Sequence, residues 1–232
     1  MRNHRFVVGL SLVTFALLTI SPTGQAGGLI NNLPEDGSWV LFKIKSELDL
    51  SGNLQSFDRE MKLSSVGKQE VDGMPGRWIE ISTEISGRKV IGKLLIAEKY
   101  LKGDQNPFQH ISKAFARGPD GEAVDFSDAR LRQFMIFALA VPHFEKPEKK
   151  EKEKIKTELG EFECERQKGE TELDGPMDVK VKMAGDIWTH DKVPFGLVKA
   201  KIKGDLGFGS VDTELEVTKS GKDAKSELPD AK

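Results

Sequence analysis

Beyond His4 near the start, four residues carry side chains suited to nucleophilic or acid–base work near neutral pH: Cys164, His110, His143 and His190. The sharpest combination pairs Cys164 with the His190-Asp191 dipeptide in "WTHDKVPFG". That would be a thiol nucleophile and an oriented base, which requires the base within hydrogen-bond reach of the sulfur and a third group holding the base. The local pattern argues against it. In "GEFECER", Phe162 and Cys164 share one side of an extended segment, with Glu161, Glu163 and Glu165 on the other. Cysteine in such a place packs as a small hydrophobe. Residues adjacent in a bend point apart, so Asp191 is poorly placed to orient His190. The chain has no G-x-S-x-G elbow, no H-E-x-x-H and no glycine-rich phosphate loop. The three later histidines are widely spaced and lie in no local metal-ligand pattern. The expectation is a protein without catalytic residues, metal or cofactor.

The elements that would position such residues begin after an export signal. Arg2, His4 and Arg5 form a short basic region, Phe6 to Ile20 carry no charge, and small residues Gly24 and Ala26 follow. A charged start, an apolar core and a small-x-small ending describe a signal peptide cleaved after Ala26. The apolar run is shorter than the ~20 residues of a spanning helix. No cysteine lies near the cleavage point, so lipid attachment there is closed, and the expected compartment is the periplasm or the medium. Of 35 basic residues two lie in the leader, against 37 acidic, so the mature part is net negative. That balance argues against nucleic-acid binding, which calls for a basic surplus on one face. One cysteine in an exported chain provides no internal disulfide, so burial alone must hold the fold.

A period of two recurs through the mature chain. Val40, Phe42, Ile44, Leu48 and Leu50 alternate with Lys43, Lys45, Glu47 and Asp49. Ile79, Ile81 and Ile85 alternate with Glu80, Ser82 and Glu84. Met177, Val179, Val181 and Met183 alternate with Asp178, Lys180 and Lys182, and Val211, Thr213, Leu215 and Val217 with Asp212, Glu214 and Glu216. One face buried and one face wet is the signature of antiparallel sheet. Turn sequences at 51–53, 72–73, 86–87, 174–176 and 203–205 separate the runs. They predict a meander over 38–100 and a second strand group over 155–219. The opening "WTHDKVPFG" then reads as a corner between two strands, with Pro194 and Gly196 present for backbone geometry.

The middle of the chain differs. Over 128–141, Leu131, Phe134, Met135 and Ala138 form a helical stripe, Ser127 or Asp128 supplies a cap, and Pro142 ends the run. Its second half is apolar all round and demands burial on more than one side. Residues 106–124 are ambiguous: Phe108, Ile111 and Phe115 have helical spacing, while Pro119-Asp120-Gly121 reads as a turn. The mixed-charge run 145–156 reads as a solvated linker, and 220–232 as a disordered tail.

The segment "GEFECERQKGETEL" followed by "VKVKMAGDIWTHDKVPFGLVKAKIKG" resembles the C-terminal half of uncharacterised exported bacterial proteins. More broadly it resembles the LolA-like half-barrel of the lipoprotein-carrier superfamily. The resemblance implies a mainly antiparallel β (α+β) fold: a curved half-barrel sheet with one or two helices plugging the concave face, forming a single domain over 27–219. It also implies acyl-chain binding. The expected lining is Phe42, Ile44, Ile81, Val179 and Val181, with Phe134, Met135 and Phe137 gating the hollow. The leading expectation is a non-enzymatic envelope protein binding an acyl chain or lipoprotein. The alternative is a structural or protein-interaction module whose core is filled by its own side chains.

Overall fold

The computed structural model describes residues 27–85, 87–103, 105–117, 123–125, 141–174 and 180–228. The expected signal peptide, residues 128–140 of the expected helix with Phe134, Met135 and Phe137, and Val179 lie outside them.

Among the described residues, eleven strands form one antiparallel sheet. In chain order they are β1 Trp39–Leu50, β2 Asn53–Val71, β3 Met74–Ile85, β4 Arg88–Ala97, β5 Ile111–Arg117, β6 Ala123–Asp125, β7 Glu148–Thr157, β8 Gly160–Asp174, β9 Lys180–Thr189, β10 Leu197–Asp205 and β11 Ser210–Gly221. Spatially they run β6-β5-β4-β3-β2-β1-β11-β10-β9-β8-β7. Two meanders therefore meet where β1 pairs with β11, and β6 and β7 are left as unpaired edges, so the sheet is a half-barrel and not a closed one. Tight turns set the registers: Ser51 and Gly52 take positive φ between β1 and β2, as do Asp72 and Gly73 between β2 and β3.

The corner after Trp188 is built as expected. His190 N–H donates to the Gly196 carbonyl, Val193 N–H to His190 and Gly196 N–H to Val193. Phe195 and Gly196 adopt φ of 65° and 84°. The glycine meets this at no steric cost, and Phe195 is held there by complete burial.

Two expectations are corrected. Residues 148–157 are strand, not linker: Glu153 pairs with Cys164 and Ile155 with Phe162 across β7–β8. Interleaved Lys and Glu are what an edge strand carries to repel foreign strands, so the composition of a linker and of a protected edge coincide. The tail is also ordered through residue 228. Ala224 N–H bonds the Gly37 carbonyl, Trp39 Nε1 donates to Asp223 at 2.7 Å, and Leu228 is buried. The Glu80 carboxylate accepts from the Ser226 hydroxyl and the Glu227 and Leu228 N–H groups at 2.9–3.3 Å. Alternation placed Glu80 on the wet face. The tail crosses that face and buries it.

Within the ambiguous segment 106–124, the described residues include a one-turn 3-10 helix, Pro107–His110, which β5 follows, and the start of β6.

Candidate functional site

The registers place the apolar residues of successive strands in rows on one face. One row runs Thr83, Met61, Phe42, Val217. The next runs Arg59, Ile44, Leu215, Ala200, Ile187, Gln167. Toward the far end come Phe57, Ser46, Thr213, Ile202, Gly185, Gly169, and then Gln55, Leu48, Val211, Gly204, Met183, Thr171. The face is thus continuous across seven strands, as the period-two pattern requires.

A cover lies on the first of these rows, and it comes from three chain segments. Residues 27–33 run across the face, with Leu29 and Ile30 fully buried. Gly27 and Phe144 exchange backbone hydrogen bonds of 3.2 and 2.7 Å. Asn31 N–H donates to the Phe195 carbonyl, and Asn31 Oδ1 and Nδ2 close on the Gly28 backbone at 3.0 and 2.6 Å. Leu101, Phe108 and Val141 complete the cover. The cover is docked through glycine: a Cβ at Gly169 would stand 2.5 Å from Cγ of Phe144, and one at Gly27 would stand 2.1 Å from Cδ1 of Ile187.

Beneath this cover the expected lining residues Phe42, Ile44 and Ile81 are 0%, 1% and 3% exposed and belong to one cluster with Val181. The structure brings these four onto one face. Phe42, Ile44 and Ile81 are filled-in core beneath the chain's own cover, while Val181, paired with Leu173, is buried one row beyond Met183. The far end of the face is different. Leu48, Leu50, Val211, Leu173 and Thr171 share the face but stay half-buried, and Phe57 is 48% exposed. A cleft of about 700 Å³ borders this end, lined by Thr171, Met183 and Gly204 of the row and mainly by residues of the opposite face, Glu170, Glu172, Lys182, Ala184, Lys203, Asp205 and Ser210. Alternation had assigned Leu48, Val211 and Met183 to the inner face. What it did not carry is their position at the uncovered end, which follows from register.

A larger groove of about 950 Å³ is lined mainly by the opposite face: Lys43, Glu60, Lys62, Glu84, Lys89 and Glu158 among others. Its charges are mixed in sign and its walls polar. That face also has its own apolar cluster, Val71, Trp78, Leu95 and Ala97 with Phe115, in which Trp78 and Phe115 meet at 5.8 Å. Near it the buried Arg77 binds Glu98 at 2.6 Å, the Pro34 carbonyl and Ser65.

Cys164 is a buried free thiol, and burial, with the Glu153 carboxylate second, pushes its pKa up to about 11. His190 Nδ1 accepts from Lys192 N–H at 3.1 Å, and its ring tilts over Phe162 at 5.4 Å. His143 is buried in the cover, and desolvation lowers its pKa to about 4. His110 stacks on Tyr100 at 3.7 Å. Among the described residues no group of His, Cys, Asp and Glu is arranged to hold a metal, and no helix is long and apolar enough to cross a membrane.

No family model matches the chain, and no curated protein matches it. Solved structures do. A predicted lipoprotein from Parabacteroides distasonis is 12% identical, with a TM-score of 0.43 over 83% of this chain and 99% of that one. A predicted exported protein with YmcC-like fold from Bacteroides fragilis is 11% identical, with a TM-score of 0.42 over 84% and 100%. A predicted outer membrane lipoprotein-sorting protein domain from Vibrio parahaemolyticus is 10% identical, with a TM-score of 0.31 over 81% and 86%.

Proposed function

We propose that this is an exported, non-enzymatic component of the cell envelope that shelters a hydrophobic ligand, an acyl chain or the lipid part of a lipoprotein, at the uncovered end of the sheet. One observation carries this reading. Among the described residues, the row Leu48, Val211, Gly204, Met183, Thr171 continues the core face past the cover, and Leu48, Val211 and Thr171 stay half-buried there with Phe57 48% exposed beside them. Each methylene sheltered there contributes ~0.8 kcal/mol, so a few carbons suffice for measurable binding. The Cys164 thiol, with its pKa pushed up to about 11, leaves too little thiolate at neutral pH for hydrolase chemistry.

A second reading, a packed interaction module without ligand, is favoured by the complete burial of Phe42 and Ile44 beneath the chain's own cover. Titration of mature protein with a fluorescent fatty acid separates the two. The carrier reading expects saturable uptake that Val211→Asp weakens at least tenfold while the melt stays cooperative. Absence of uptake by the wild-type protein would leave the filled module standing.

A further inference from the structure

Two buried acceptors beside the start of the described chain lack partners: Gln167 Oε1 and His143 Nδ1. Gln167 is 1% exposed and His143 9%. Orphaned buried acceptors are rare enough in folded proteins to require an explanation. The amide of Gln167 is oriented by chemistry: Nε2 donates to the Glu165 carboxylate at 3.2 Å, and a carboxylate cannot donate in return, so Oε1 must face the other way. It faces Gly27. A Cβ on Gly27 would lie 2.5 Å from Gln167 Oε1, and one on Gly28 would lie 3.0 Å from His143 Nδ1. A third acceptor, the Phe144 carbonyl, is already 3.2 Å from Gly27 N.

A peptide N–H at Gly27 has one proton and serves Phe144 alone. An α-ammonium has three. We propose that cleavage between Ala26 and Gly27 completes this fold, by creating at Gly27 an α-ammonium that is held by the Phe144 carbonyl and Gln167 Oε1. The bond broken is the Ala26–Gly27 amide. Water supplies the hydroxyl that stays on the Ala26 carbonyl carbon and one proton for the Gly27 nitrogen, the new carboxylic acid gives up its own proton to make that nitrogen an ammonium and itself a carboxylate, and a processing peptidase selective for small residues is the catalyst. Glycine is required because any side chain at position 27 would strike Ile187 and Gln167. The Glu165 carboxylate, through its bond to Nε2, polarises the amide toward accepting a cation. The proposal rests on the export reading of residues 1–26 and is separate from ligand binding.

N-terminal sequencing of the exported protein should begin at Gly27. Purified chain with a free Gly27 should melt above the same chain carrying acetyl-Gly27, by roughly 3 °C or more. In Gln167→Leu that gap should shrink. Because this variant may fold poorly, N-terminal acylation of the wild type at neutral pH gives an independent reading: Gly27 should react many-fold more slowly in the folded than in the denatured chain. A mature terminus elsewhere, equal melting of the free and acetylated forms, or acylation as fast when folded as when denatured would each overturn the proposal.

Discussion

The side chain of Phe144 packs against the backbone of Gly169, so close that a Cβ there would sit within 2.5–2.9 Å of its Cβ, Cγ and Cδ1. This contact joins a residue of the cover to the middle of β8. It shows why β8 spends a glycine inside a strand, where glycine otherwise weakens pairing. The cover is a docked part of the fold, and its edge decides which rows of the sheet are core and which remain open.

Gly169→Val should therefore lift Phe144 off the sheet. The expected loss is about 1–3 kcal/mol, the usual cost of overpacking, read as a lower denaturant midpoint. Uptake of an apolar dye should rise at the same time, because the rows under Phe144 become accessible. Unchanged stability would mean that the cover adjusts without cost.

His143 gives the cover an acid-sensitive joint. Its folded pKa, about 4, lies below the ordinary value of 6.5 because burial disfavours the imidazolium. Between these values the unfolded chain binds a proton that the folded chain refuses. Stability is thus fully present above pH 6.5 and is lost as the pH falls toward 4, by about 2–3 kcal/mol. Melting curves from pH 7 to 4 should show this fall, and His143→Gln should flatten it.

Cys164 should be inert in the folded protein. With a pKa near 11 and a buried sulfur, disulfide-exchange reagents at pH 8 should label it only at the rate of unfolding, and fully in guanidinium. Rapid labelling of the native protein would contradict its place between β7 and β9.

The tail should act as a clasp. Removing residues 222–232 leaves Glu80 beside Lys93 without the three donors of Ser226, Glu227 and Leu228. Glu80→Ala conversely orphans the backbone donors, at about 1–3 kcal/mol. Both changes should lower the melting temperature. Combining them should cost less than their sum, since they remove one shared interaction.

The strands were legible because each alternates over a length that a single face can bury: Val40 to Leu50 and Val211 to Val217 needed no tertiary information. The corner at 190–196 was legible because Pro194 and Gly196 have few other uses. What escaped was every feature set by contact between distant segments. Glu80 reads as a solvated residue until the tail lies on it. Residues 148–157 have the composition of a linker until β8 offers them a ladder. The apolar residues Leu29, Ile30 and Leu33 follow two glycines in a run too short for any period, and nothing local says that they cover a sheet. Phe42, Ile44, Ile81 and Val181 were placed on the correct face, but which residues of that face stay open depends on register and on where the cover stops.

The central claim, that the uncovered end of this face takes an apolar chain, is tested most directly by methyl NMR of the mature protein titrated with a medium-chain fatty acid. The account predicts saturable shifts at Leu48, Val211 and Met183, with Leu95 in the opposite-face cluster unmoved. Methyl signals that stay still throughout, or that move at Leu95 instead, would contradict it.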